Sequence, residues 1–274
     1  NNAKIVHIST TPAHINKYYQ CNVEVVGDIS DAHNRIVDEL DSDNRPEPES
    51  VLKIRKAFDE AFAKDADNDI CPMKPQRIIR DVRKALGRKD ILISDVGAHK
   101  MWIARLYYCY EPNTCIISNG FATMGIGLPG AISAKLVHPE RRILTITGDG
   151  GFMMNSQELE TAVRLKLNIV VLIMNDSSYG LIKWKQMDQY GETYFTDFTN
   201  PDFVKLAESM NCIGYRVNKA SDLPELLEKA FQHDRPVIID VPVDYSENVK
   251  LSKSLKSWRE KLAAGKSRLS GRNK

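Results

Sequence analysis

Ile143-Leu144-Thr145-Ile146-Thr147-Gly148-Asp149-Gly150 and Ile169-Val170-Val171-Leu172-Ile173-Met174-Asn175-Asp176 decide the fold. Each is an apolar run of strand length that ends in a glycine or a polar residue. Runs without a polar face mark strands buried on both sides, as parallel sheets require. The interval between them, residues 151–168, has room for one crossover helix. Two neighbouring strands therefore each deliver an acidic residue, Asp149 and Asp176, at their carboxyl ends. That is where open α/β sheets bind ligands. Two carboxylates beside a glycine-lined turn suit a hard divalent cation that bridges to a phosphorylated ligand.

Working outward, the same alternation continues. Strands are expected at 90–95, 115–118, 142–147, 169–174, 213–217 and 236–241. Helices are expected at 98–108, 122–136, 156–167, 178–188, 201–210 and 222–232, with Pro75 opening another that runs to about Leu86. This pattern gives an α/β fold, a parallel sheet covered by helices on both faces. Residues 4–8 and 23–26 read as two further strands, and 11–18 and 30–41 as helices. That unit looks like the end of another α/β domain. Asp41-Ser42-Asp43-Asn44-Arg45-Pro46-Glu47-Pro48 begins a linker over 42–74 that contains a helix near 50–64. The expected divisions are thus 1–41, 42–74, 75–248 and a basic tail, 249–274. Asn1-Asn2, without an initiator Met and running at once into a strand, gives the expectation that the chain starts inside a domain.

Composition excludes several classes. Lys and Arg number 38 and Asp and Glu 36, so the chain as a whole is no polyanion binder. The exception runs from Lys250 onward, where nine basic residues face only Glu260; a solvated tail and a polyanion-binding patch are the two readings. Cys21, Cys71, Cys109, Cys115 and Cys212 form no CxxC, which argues against a disulfide scaffold or zinc site and fits a reducing cytosol. No apolar stretch approaches the roughly 18 residues of a membrane span. No GxGxxG follows a first strand, and no GxxxxGK[ST] occurs.

Taken singly, an Asp after a strand is a turn former or a helix cap. Taken together, Asp149 and Asp176 share one end of the sheet, and Gly148, Gly150 and Gly151 leave no Cβ to block a ligand. A helix expected to start near Asn155-Ser156, with Glu158 placed for a capping box, points its amino end to the same place.

Gly-Asp-Gly followed about two dozen residues later by Asn-Asn is the thiamine-diphosphate motif, and this chain resembles it with Asp176 in the second Asn place. The resemblance implies that Asp149, Asp176 and the main-chain oxygen of Ser178 hold Mg²⁺, which grips the diphosphate. Ser94-Asp95-Val96-Gly97-Ala98-His99-Lys100-Met101-Trp102 looks like the family's diphosphate-contacting turn. There Gly97 approaches a phosphate oxygen and His99 is either a donor to it or an ordinary helix-start histidine. Ser118-Asn119-Gly120-Phe121-Ala122-Thr123-Met124-Gly125-Ile126-Gly127-Leu128-Pro129 resembles the loop whose large apolar residue, here Met124, bends the cofactor. Met124 as core filler is the plainer alternative. Val96, Ala98, Ala122, Gly148, Gly150, Gly151, Tyr179, Gly180 and Leu181 complete the expected cofactor-binding set.

The flavin-independent, catabolic acetolactate synthases are similar in departing from Asn at the Asp176 position, and Val241-Pro242-Val243-Asp244-Tyr245-Ser246-Glu247-Asn248 resembles the end of their catalytic region. That resemblance implies condensation of two pyruvate molecules to 2-acetolactate and CO₂, a cytoplasmic enzyme, and at least a homodimer, or a homotetramer. In this family an activating glutamate is supplied by an amino-terminal domain, and no segment here resembles that domain. No catalytic residue is therefore assigned, and the chain is expected to turn nothing over alone. Lys185 falls by counting where related synthases carry a substrate-facing residue; a lysine paired with a substrate carboxylate and a solvated lysine both remain open. Two rivals stand beside this reading: another thiamine-diphosphate decarboxylase, oxidase or carboligase, and a non-catalytic binding module of the same fold.

Overall fold

A computed structural model of the chain describes residues 4–12, 21–40, 49–248 and 251. The expected helix over 11–18, the polar stretch 41–48 and the basic tail lie largely or wholly outside the described residues. Two compact units emerge, Asn1–Phe58 and Asp59–Lys274, so the division falls inside the stretch read as linker.

In the first unit, β1 (Val6–Ser9) pairs in parallel with β2 (Val23–Val26), Val6 opposite Val23. Helix α1 (Ile29–Glu39) follows, its amino end capped by the Asp28 side chain, which accepts from the Asp31 main-chain N–H at 2.9 Å. Helix α1 has no buried residue. Helix α2 (Glu49–Ala66) runs across the division.

The second unit is built by α3 (Pro75–Ala85), β3 (Ile91–Ser94), α4 (Ala98–Leu106), β4 (Cys115–Ile117), α5 (Gly127–Val137), β5 (Ile143–Gly148), α6 (Asp149–Met154), α7 (Leu159–Arg164), β6 (Ile169–Asn175), α8 (Gly180–Tyr190), α9 (Phe203–Ser209), β7 (Ile213–Arg216), α10 (Asp222–Gln232) and β8 (Val237–Pro242). Strands β3 to β8 form one parallel sheet in the order β4-β3-β5-β6-β8-β7. The expected α/β architecture, a parallel sheet between two helical layers, is what the chain adopts.

The period-2 geometry of a strand explains both layers. Leu144 and Ile146 of β5, with Val170 and Leu172 of β6, face a core shared with Trp102, Ile103, Leu223 and Leu227. Ile143, Ile169, Val171 and Ile173 face the opposite core with Leu128, Leu159 and Phe203. All of these side chains are buried, so the apolar runs read from the sequence are covered on both sides.

The order of strands reverses between β3 and β5: after β3 the chain turns to edge strand β4, and after β5 to β6. Such a switch point splays the following loops apart and opens a crevice at the carboxyl ends of the strands.

Two expected helices are corrected. The one placed at 122–136 begins only at Gly127. Ala122 (φ 54°) and Gly125 (φ 86°) lie in the left-handed region, which breaks the helix and leaves 122–126 as a loop. The one placed at 156–167, with its capping box, is two short pieces preceded by a separate helix. Helix α6 starts directly at Asp149, a 3₁₀ turn spans Ser156–Glu158, and α7 follows. Glu158 makes no box; its carboxylate accepts from the Thr161 hydroxyl at 3.1 Å.

Candidate functional site

The crevice holds a cavity of about 220 Å³ lined by three segments that follow three adjacent strands, together with the loop before α5. Val96, Gly97, Ala98 and His99 follow β3; Gly148, Asp149, Gly150 and Gly151 follow β5; Asp176, Ser178, Tyr179, Gly180 and Leu181 follow β6. Ala122 and Met124 come from the loop. Every residue expected to bind cofactor thus lines one cavity. Met174, Ile182 and Tyr245 line it too and were not singled out in the sequence.

Lys185 does not line the cavity and is exposed. It sits four residues past Leu181 in α8, one turn and about 6 Å further along the helix axis.

The two carboxylates are held by different means. Asp149 Oδ1 accepts from the Gly150 N–H at 2.8 Å, and Oδ2 accepts from the Ser177 N–H at 2.6 Å and Asn200 Nδ2 at 2.8 Å. Asp176 Oδ2 accepts from the Ser178 hydroxyl at 2.7 Å. Burial pushes the Asp149 carboxyl above its ordinary value, its hydrogen bonds opposing. Burial pushes Asp176 up to about 6, with the nearby Asp149 charge adding to the rise. Two mutually repelling, desolvated carboxylates are what a divalent cation relieves.

Among the described residues no three His, Cys, Asp or Glu side chains gather into a metal cluster. A cation in this cavity would find Asp149, Asp176 and main-chain oxygens such as that of Ser178 as its protein ligands. The rest of its shell is left to ligand oxygens and water, the arrangement Mg²⁺ favours. The hard oxygen set therefore fits Mg²⁺ with a phosphorylated ligand.

The opposite wall fits as well. A Cβ on Gly97 would stand 2.7 Å from His99 Cε1, so only glycine lets the main chain pass so close to the ring. A Cβ on Gly150 would meet the Tyr179 ring at 2.9 Å. His99 is buried, and that burial lowers its pKa to about 4 despite the neighbouring Asp95. The ring hydrogen-bonds the Asp95 main chain, while Nε2 is buried without a partner. A neutral ring donating to Asp95 presents Nε2 as an acceptor, so His99 donates to a phosphate oxygen only after it gains a proton. An orphaned buried ring nitrogen at the cavity wall is costly unless a ligand meets it.

Tyr245 closes the far side. Its hydroxyl reaches Met174 Sδ at 3.8 Å, and burial, with Asp176 and Asp149 nearby, pushes its phenol well above the usual range. The segment that carries it is tied down by Lys74–Asp244 at 2.7 Å, Gln76–Glu247 at 2.8 Å and Trp102–Asn248 at 2.7 Å.

Among the described residues no helix is long and apolar enough to cross a membrane. The acetolactate synthase of Bacillus subtilis (strain 168) is 38% identical over 250 residues, covering 90% of this chain and 44% of that protein. The catabolic acetolactate synthase of Raoultella terrigena is 33% identical over 249 residues, 90% of this chain and 44% of its own length. A putative thiamine pyrophosphate-containing protein of Bacillus subtilis is 32% identical over 239 residues, 87% and 42% of the two chains. The chain thus spans less than half the length of these relatives. The family described as "Thiamine pyrophosphate enzyme, C-terminal TPP binding domain" matches residues 95–241, which hold most of the cavity wall. With that match covering more than half its length, the chain belongs to the thiamine pyrophosphate enzymes as a C-terminal TPP-binding domain.

Proposed function

We propose that this chain is the cofactor-binding part of an acetolactate synthase of the catabolic, flavin-independent type. It binds thiamine diphosphate through Mg²⁺ and serves the condensation of two pyruvate molecules to 2-acetolactate and CO₂. The observation that carries the reading is the pair Asp149 and Asp176 at adjacent strand ends, facing the same cavity as the Gly97–His99 turn. The names of the two relatives quoted first support the choice of reaction.

Thiamine diphosphate, when bound, supplies the nucleophile and the electron sink for decarboxylation of a 2-oxoacid. The protein's own part is to bind, orient and desolvate. Asp149, Asp176 and the Ser178 main-chain oxygen hold Mg²⁺; the Gly97 turn and the start of α4 receive the diphosphate. Met124 projects from the strained loop 122–125 as the apolar surface that sets the cofactor's bend. Val96, Ala98, Ala122, Gly148, Gly150, Gly151, Tyr179, Gly180 and Leu181 shape the remaining wall. No acid or base of this chain is assigned a proton-transfer step. The working enzyme is a cytoplasmic homodimer or homotetramer in which the activating glutamate comes from outside these 274 residues.

Product analysis tests the reading. The native protein containing this chain, given pyruvate, thiamine diphosphate and Mg²⁺, yields acetolactate. Acetaldehyde, acetate or no product would move it to a neighbouring decarboxylase, oxidase or carboligase. The chain by itself forms no acetolactate, and its formation would overturn that part of the account.

A further inference from the structure

The hydrogen bonds around Asp149 are unequal, and the inequality has a chemical meaning. A carboxylate oxygen has two acceptor positions. Both on Oδ2 are taken, by the Ser177 N–H at 2.6 Å and by Asn200 Nδ2 at 2.8 Å. Oδ1 carries the Gly150 N–H at 2.8 Å, and the Asp176 N–H is also directed at the carboxylate, which leaves Oδ1 the less occupied oxygen. Asp149 in this state offers a cation a single oxygen.

Asn200 cannot turn its amide over. Its Nδ2 also donates to Asn175 Oδ1 at 3.0 Å, so a flip would set its oxygen against two acceptor oxygens. Asn175 is fixed in turn, donating to Asp240 Oδ1 at 2.9 Å, and Asp240 Oδ2 accepts from Arg216 Nε at 3.0 Å. The chain of contacts ends on the adjacent strands β6, β8 and β7. Asn200 Oδ1 is buried without a partner, so the side chain gives up one of its own hydrogen bonds to keep this pose.

Anchoring the loop that carries Asn200 is not a sufficient reason for the arrangement. That loop is already held by Tyr179 N–H to Thr196 O at 2.8 Å, Phe198 N–H to Ser177 O at 3.0 Å and Lys183–Asp197 at 2.6 Å.

We propose that Asn200 is a positioning residue that keeps Asp149 a one-oxygen ligand and thereby makes the site prefer Mg²⁺ to Ca²⁺. Ca²⁺ accepts carboxylates through both oxygens in a loose shell of six to eight ligands, whereas Mg²⁺ demands a compact octahedron. Blocking Oδ2 removes the mode that Ca²⁺ uses best and leaves the one that Mg²⁺ needs. The inference rests on the reading of Asp149 as a cation ligand.

The test is calorimetric titration of Mg²⁺ and of Ca²⁺ into the full chain with thiamine diphosphate present, for wild type, Asn200→Ala and Asn200→Ser. Metal-free melting temperatures report on the fold, and Asn200→Ser serves if Asn200→Ala does not fold. Loss of an outer partner of this kind costs about 10–100-fold in metal affinity. The expected result is a loss of that size for Mg²⁺ with a much smaller one for Ca²⁺, so the preference falls by about tenfold or more. An equal loss for both metals, or no loss for either, would overturn the proposal, because a merely structural role moves them together. A wild type that takes up neither metal would overturn the cation reading itself and this proposal with it.

Discussion

The Thr147 hydroxyl donates to Asp95 Oδ2 at 2.9 Å, joining the turn after β3 to the end of β5. Asp95 is buried and takes more than this one bond. Oδ1 accepts from the Val96 N–H at 2.6 Å and from the Gly125 N–H at 3.0 Å. The Gly97 turn, the Met124 loop and the strand leading into Asp149 are therefore set against each other by one carboxylate. Space for it is made by glycine: a Cβ on Gly151 would stand 3.0 Å from Asp95 Oδ2.

Removing Asp95 strands those donors in a buried place. Asp95→Ala is expected to lower the free energy of unfolding by about 3 kcal/mol, the sum over a few unsatisfied groups. The urea midpoint of the metal-free chain measures it. A change below about 1 kcal/mol would mean that the three segments hold their places without the carboxylate.

His99 and Asp176 act in opposite senses over one pH window. His99, lowered to about 4, stays neutral while an unfolded histidine takes up a proton near 6.5, so its contribution is lost as pH falls through that range. Asp176, raised to about 6, keeps its proton while an unfolded aspartate releases one near 3.8, so stability is lost as pH rises. Each effect is on the order of 3 kcal/mol, and the two largely offset. Asp176→Asn removes one side. Between pH 4.5 and 6.5 the metal-free melting temperature of Asp176→Asn should then climb more steeply than that of wild type. A parallel pair of curves would contradict the assigned shifts.

Gly97→Ala forces a methyl group to within 2.7 Å of the His99 ring. The ring cannot retreat without losing its bond to the Asp95 main chain. The expected cost is about 1–3 kcal/mol of stability, the range for overpacking a tight site. Affinity for inorganic diphosphate with Mg²⁺ should fall in parallel. Unchanged diphosphate binding would remove the Gly97 turn from the phosphate site.

Met124 separates the two ends of the cofactor. Met124→Ala is expected to weaken thiamine diphosphate binding by about tenfold, the worth of one lost apolar contact surface. Binding of inorganic diphosphate with Mg²⁺ should stay within error of wild type. Equal losses for both ligands would place Met124 in the phosphate half of the cavity or in the fold.

The sheet and the site's position were legible because strand ends are local signals. An apolar run stops where a glycine or polar residue must leave the sheet, and Gly148 and Asn175 are such residues. The starts of α5 and α6 were not legible. Gly150-Gly151 argues for a turn on propensity, yet α6 begins at Asp149; a Cβ at these two positions would stand 2.9 Å from the Tyr179 ring and 3.0 Å from Asp95 Oδ2, so close packing accounts for the glycines inside the helix. Asn200 escaped for another reason: it lies 51 residues from Asp149 in sequence, and no local pattern marks which distant loop closes on a strand end. Tyr245 stood in a stretch that resembles the family, but its place in the cavity wall, 71 residues from Met174, was not marked by that resemblance. Lys185, placed by counting alone, lies outside the residues that line the cavity.

The central claim is that Asp149 and Asp176 bind the cofactor through a divalent cation. Titration of thiamine diphosphate into the chain, with Mg²⁺ and with a chelator, tests it most directly, using wild type beside Asp149→Ala. The account predicts heat of binding only for wild type with Mg²⁺. Binding of equal strength under chelation, or in Asp149→Ala, would contradict it.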